Sequence, residues 1–172
     1  MTAARPLAGL GVVLTRPRAQ CEAIAAALES AGARVTVFPA LDIVPIALSD
    51  ESRAALESLP SASLAIFVSA NAAEHGVALA RAAGPWPEAV AAAGVGAATA
   101  AALREAGFAR VIAPATGFDS ESLLACPEFN DVRGKRILVF RGVGGREHLR
   151  TTLEARGATV AYVECYRRER PA

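Results

Sequence analysis

The chain reads as an α/β protein: two similar doubly wound parallel-sheet domains joined by a two-stranded linker, with only one domain complete. Three observations predict this. Short apolar runs alternate along the 172 residues with stretches of helical composition, the pattern of a parallel sheet covered on both faces. The helical stretches end repeatedly on glycine, at Gly32, Gly84, Gly107 and Gly157, where the residue past a helix takes positive φ at little cost. A long segment also returns without a gap. GVVLTRPRAQCEAIAAALESAGARVTVFPAL, from Gly11, lies over RILVFRGVGGREHLRTTLEARGATVAYVECY, from Arg136, at an offset of 125 positions.

Each copy of the repeat predicts strand, loop, helix, strand, which is a βαβ unit. Arg16 falls over Arg141 at a strand end, and Glu22 over Glu147 and Leu28 over Leu153 along a helix. Gly32, Ala33 and Val35 fall over Gly157, Ala158 and Val160 at the helix exit. In chain order, the strands are expected at Val12–Thr15, Arg34–Phe38, Leu64–Ser69, Val90–Gly94, Arg110–Ala113, Arg136–Arg141 and Thr159–Glu164. Helices are expected at Gln20–Ala31, Asp50–Ser58, Ala70–Ala83, Ala97–Ala106, Ser120–Cys126 and Arg146–Arg156, with Asp119 or Ser120 as the cap of the fifth.

FPALDIVPI, from Phe38, and VECYRRERPA, from Val163, follow the second strand of each copy and carry prolines. Such segments resist helix and suit semi-rigid connections. They are read as a two-stranded crossing, one strand outbound and one returning. The expected organisation is a first βαβ portion over 1–38, an outbound linker strand over 39–47, a complete domain over 48–163 and a return linker strand over 164–172. A first domain of comparable size would need about 60 to 110 further residues after Ala172.

Composition limits the choice of partner. The chain is 53% hydrophobic with a net charge of +1 and interspersed acids and bases, so nothing favours nucleic acid or an anionic membrane surface. The apolar run before Thr15-Arg16-Pro17 is too short for a signal peptide, and no stretch approaches a membrane span of about 20 apolar residues. Cys21, Cys126 and Cys165 are odd in number and widely spaced, which reads as reduced thiols of a cytoplasmic protein rather than a disulfide or zinc site.

Several polar residues fall at predicted strand ends, where doubly wound sheets bind ligands. Arg16 either faces a cleft or is a solvated arginine in a turn shaped by Pro17. Ser69 either caps the following helix or directs its hydroxyl at a substrate carboxylate; no nucleophile elbow surrounds it. The segment FRGVGGREHL sets Gly142, Gly144 and Gly145 between Arg141 and Arg146. Its backbone amides can hold carboxylates at a helix start, or the glycines can serve a tight turn alone. It lacks the lysine and spacing of a nucleotide loop. Thr99, on the first turn after a glycine loop, can bind a ligand or bond its own backbone. His75 and His148 read as helix-surface residues. Paired acids of a receiver-like signalling domain are missing from the first strand end.

VLTRPRAQ, FVSANAAEHG, GVGAATAAALREAGF, GFDSESLL and VFRGVGGREHL leading into VECYRR together resemble the uroporphyrinogen-III synthase family, over the whole chain and in order. The resemblance implies two α/β domains joined by a β-ladder, the first built from both chain ends, with further sequence after Pro171-Ala172. It implies a hydro-lyase without metal or organic cofactor that closes hydroxymethylbilane to uroporphyrinogen III, losing water and inverting ring D through a spiro intermediate. By the same resemblance Thr99 faces the cleft, and Tyr166 matches a tyrosine at the return into the linker. Tyr166 is then either the general acid for the departing hydroxyl or an interdomain packing residue. The substrate's acetate and propionate groups would meet Arg16, Ser69, Thr99, Arg141, Gly142, Gly144, Gly145 and Arg146. The competing expectation is a shortened, non-catalytic anion- or tetrapyrrole-binding module of this fold. The full-length form is expected to be a monomer, and a chain ending at Ala172 to self-associate.

Overall fold

The computed structural model describes residues 5–171, so the outermost residues of the first and last predicted segments, 1–4 and 172, lie outside it. The described residues form two compact units. One comprises the chain up to Val44 together with the residues from Arg168 onward; the other is Pro45–Arg167.

The smaller unit contains β1 (Gly11–Leu14), α1 (Glu22–Ser30) and β2 (Arg34–Val37). A single 3-10 turn, Arg18–Gln20, precedes α1, so the helix starts two residues later than its composition predicts. β1 and β2 run parallel, with Gly11 opposite Arg34 and Leu14 opposite Val37. The Cys21 thiol is buried and donates to the Arg16 carbonyl at 3.3 Å. Large apolar residues of the unit are left uncovered: Leu10, Val13 and Phe38 are each more than half exposed.

The larger unit carries α2 (Asp50–Glu57), β4 (Leu64–Phe67), α3 (Ala70–Ala83), β5 (Ala91–Gly94), α4 (Ala97–Glu105), β6 (Val111–Ile112), α5 (Ser120–Leu124), β7 (Arg136–Gly142) and α6 (His148–Ala155). β3 (Asp42–Pro45) and β8 (Thr159–Glu169) straddle the division between units. The strand order is β3-β8-β7-β4-β5-β6, and each neighbouring pair from β8 to β6 is parallel. The strand expected over Thr159–Glu164 and the return linker strand after it are one continuous element, β8.

Alternation along the buried strands explains why helices cover both faces. Ala65, Phe67, Leu138 and Phe140 join one cluster with Ala55, Leu56, Val77 and Leu103 from α2, α3 and α4. Leu64, Ile66, Ile137 and Val139 join the other with Leu123, Leu149 and Leu153 from α5 and α6. This two-sided burial gives the near-continuous apolar strands typical of parallel sheets. Capping sets the helix starts. Ser49 accepts from the Ser52 amide at 3.2 Å, and Asp119, rather than Ser120, accepts from Ser122 at 2.8 Å.

The repeat is conformational as well as sequential. Gly11 opposite Arg34 becomes Arg136 opposite Thr159. The Gly32 and Ala33 amides donate to Glu29 and Leu28, and Gly157 and Ala158 donate to Glu154 and Leu153, all at 2.9 to 3.0 Å. What differs is burial. β7 is buried at six of its seven positions, whereas β1 alternates exposed and half-buried residues.

Candidate functional site

In the larger unit the chain leaves β4 outward through β5 and β6, then returns to the other side of β4 as β7 and β8. The switch point therefore lies between β4 and β7, and ligand crevices of open parallel sheets form outside the carboxyl ends of the strands at that point. Ser69 follows β4 there, Gly142 ends β7, and Tyr166 arrives from β8.

Tyr166 is aimed by an irregularity in the ladder. Glu164 pairs with Arg141 and Tyr166 with Gly142, so Cys165 is the extra residue of a bulge. A bulge breaks the two-residue alternation, and Cys165 and Tyr166 are consequently both buried, at 1% and 0% exposure. The Tyr166 ring packs against Gly142: a Cβ there would come within 2.7 Å of two ring carbons. Its hydroxyl is 3.1 Å from Ser69 Oγ, and Ser69 Oγ also accepts from the Ala72 amide at 3.0 Å as the N-cap of α3. Ser69, half-buried, is thus both a helix cap and the partner of the phenol. The ring of His75, on the second turn of α3, lies 5.8 Å from that of Tyr166. This corrects the reading of His75 as a surface residue: the bulge brings the Tyr166 ring up against α3.

Arg141 is buried, and its charge is already answered. It donates to Glu147 Oε1 at 3.0 Å, lies 3.9 Å from Glu164, and its guanidinium sits over the Tyr162 ring at 4.3 Å. Arg150 also lies over that ring, at 3.8 Å, and the Tyr162 hydroxyl donates to Glu147 at 2.9 Å. The hydrogen bonds from Arg141 and then Tyr162 hold the Glu147 carboxyl below its usual range. Burial, followed by the Glu147 hydrogen bond, pushes the Tyr162 phenol up. Gly145 closes over Arg141; a Cβ there would stand 2.7 Å from the guanidinium. Gly144 has φ +66°. The glycine loop is therefore fastened from beneath by Arg141, with Val143 and Arg146 exposed on its outer side.

The remaining predicted residues are placed separately. Thr99 is 4% exposed, with its Cβ and methyl against Gly94 at the end of β5. Arg16 belongs to the smaller unit, is exposed, and donates to Gln20 at 3.1 Å. The ion pair between Arg141 and Glu147 has no counterpart between Arg16 and Glu22 among the described residues. His148 is exposed and 3.7 Å from Glu121.

Sequence reasoning missed Phe118, which is 75% exposed and stands over Gly96 beside the start of α4, and Val143, 48% exposed in the glycine loop. Both were legible as large apolar residues inside glycine-bearing turns, where burial is not expected. It also missed the Arg141, Glu147 and Tyr162 cluster; the matching Arg and Glu positions of the repeat were its signal. Among the described residues, no group of three or more His, Cys, Asp or Glu side chains is arranged to hold a metal, and no helix is long and apolar enough to cross a membrane.

A doubly wound sheet with a buried tyrosine hydrogen-bonded to a half-buried serine at its switch point, preceded by a βαβ copy of its own last unit, defines a two-unit α/β protein with polar groups at carboxyl strand ends. The family model described as uroporphyrinogen-III synthase HemD matches residues 22–172, and the chain belongs to that family. It is 34% identical to the uroporphyrinogen-III synthase of Salmonella typhimurium and 32% identical to that of Escherichia coli. Each match covers 92% of this chain and 65% of the relative. The chain thus spans less than two thirds of the length of these relatives. Crystal structures of Thermus thermophilus uroporphyrinogen III synthase share the fold. A mutant form superposes with TM-score 0.69 at 22% identity and the wild type with 0.59 at 23%, covering 95% of this chain and 64% and 63% of theirs.

Proposed function

We propose that the protein acts in tetrapyrrole biosynthesis as a uroporphyrinogen-III synthase, a hydro-lyase working on hydroxymethylbilane in the cytoplasm. Support comes from membership of the family together with one observation, the hydrogen bond between Tyr166 and Ser69 at the switch point. Ring closure starts when the hydroxymethyl oxygen departs as water, leaving an electrophilic azafulvene that the terminal ring attacks through a substituted carbon. The spiro intermediate then reopens with that ring inverted. The departing oxygen needs one proton. Because Tyr166 is sealed and Ser69 is half-buried, the proton passes from the phenol to Ser69 Oγ as the serine hydroxyl gives up its own. The phenolate is neutralised again, through Ser69, when the inverted terminal ring, rejoined through its free α-carbon, loses the proton of that carbon.

Positioning supplies much of the remaining rate. Phe118 and Val143 offer apolar contact to pyrrole rings, and the amides of Gly144, Gly145 and Arg146 in the glycine loop are assigned to the substrate's carboxylates, the Val143 amide being engaged by the Tyr166 carbonyl at 2.8 Å. Arg141 serves this role indirectly, by holding the loop, since its own charge is met by Glu147 and Glu164. Thr99, 4% exposed against Gly94, serves on the same reading by shaping the end of β5, and Arg16, exposed in the smaller unit, is assigned to carboxylate contact.

The assay exploits uncatalysed closure, which gives the uninverted isomer. Adding the protein to hydroxymethylbilane is expected to shift the product ratio toward the inverted isomer. A ratio identical to that without protein, in a sample that still binds a linear bilane, would leave the non-catalytic binding module as the correct reading.

A further inference from the structure

The smaller unit has a cleft of its own that the tyrosine-serine site does not use. It lies at the carboxyl end of β2, encloses about 640 Å³, and is lined by Arg18, Val37, Phe38, Pro39, Ala40, Asp42, Arg170 and Pro171. That volume is within the range of about 300 to 1,000 Å³ typical of small-molecule sites. Its composition is specific. Phe38, 69% exposed, presents an aromatic face, and Val37, Pro39, Ala40 and Pro171 complete an apolar wall. Arg18 and Arg170 make no side-chain hydrogen bond or ion pair among the described residues, so two guanidiniums stand at the cleft without an anion. Asp42, half-buried, adds one acceptor and is not within ion-pairing distance of either.

We propose that this cleft seats one carboxylated pyrrole ring. The ring stacks on Phe38, its two carboxylate arms are taken by Arg18 and Arg170, and its N–H donates to Asp42. Charge decides the class of ligand. Two arginines against one aspartate leave a net positive cleft, which disfavours a metal cation and favours an anion with two acidic arms. A bare inorganic anion would use the arginines and leave the aromatic wall and Asp42 unmatched. A pyrrole is the small aromatic ring that adds an N–H donor and carries acidic arms at the same time. The inference rests on the proposed reading for the choice of pyrrole, and it adds Arg18, Phe38, Asp42 and Arg170 to the residues that recognise it.

The test is a titration of the whole chain with a monopyrrole bearing one acetate and one propionate arm, followed by amide NMR. Saturable shifts are expected at Phe38, Ala40 and Asp42. Arg18→Ala and Arg170→Ala, both at exposed positions, should each weaken binding about tenfold. N-methylation of the pyrrole should weaken binding to the wild type but not to Asp42→Ala. The proposal is overturned if the dimethyl ester binds as well as the diacid. It is equally overturned if inorganic phosphate competes with the same affinity as the pyrrole, or if the shifts fall around Ser69 and leave residues 38–42 unmoved. The isomer assay fails separately: a chain that seats the pyrrole here yet leaves the isomer ratio unchanged loses the activity and keeps this site.

Discussion

Tyr166, Gly142 and Arg141 carry the most chemistry for their size, and each allows a separate test. Replacing Gly142 by alanine introduces a methyl within 2.7 Å of the Tyr166 ring, an overpacking expected to cost about 1 to 3 kcal/mol. Chemical denaturation reads this directly, and wild-type stability would mean that the ring has another place to go. Tyr166→Phe keeps the ring and removes the hydroxyl. It should cost only about 1 kcal/mol of stability while abolishing most of the inverted isomer, and undiminished inversion would take the phenol out of the mechanism. The Arg141 cluster has a pH signature. The folded state lowers the Glu147 carboxyl from its ordinary 4.5, so its contribution is fully present above that value and is lost as pH falls through the lower folded one. Glu147→Gln should therefore flatten the acid limb of stability against pH. An unchanged slope would show that other carboxylates carry it.

Among the elements, the ends of strands and helices were partly legible and the bulge was not. Ser69 and Asp119 were readable as caps because a short oxygen-bearing side chain before an apolar helical run satisfies free amides of the first turn. Ser69→Ala should cost about 1 kcal/mol by removing that cap and should also remove the contact of the serine oxygen with the Tyr166 hydroxyl, a second effect that a simple cap would not have. The sequence VECYRRE predicts a strand, yet no pattern in it announces that Cys165 is skipped. Pairing with β7 settles that, and the shift puts both Cys165 and Tyr166 inside. Burial pushes the Cys165 thiol to about 12. In a timed alkylation at mildly alkaline pH, Cys126 should label first, and Cys21 and Cys165 only on unfolding; early labelling of Cys165 would contradict the bulge.

On the scale of the whole molecule, the two copies of one βαβ sequence have the same register and helix exit but different burial. Strands β4 and β7 lie in the middle of a sheet covered on both faces, so their amides should exchange only through global unfolding. Those of β1 and β2, with Leu10, Val13 and Phe38 exposed nearby, should exchange through cheaper local opening, and equal protection would mean that something covers the smaller unit. Periodicity, glycine punctuation and the repeat at offset 125 determined the element order, the parallel class and the duplication, because these depend on local backbone preference and on which faces are apolar. The family resemblance came from motifs at strand ends, and the comparisons bear it out. Only the tertiary structure decided that Ser69 meets Tyr166 across 97 residues, that Arg141 is neutralised by Glu147 and Glu164, and that His75 borders the phenol. Those contacts depend on strand order and on one skipped residue in a ladder, and neither leaves a periodic trace in the sequence.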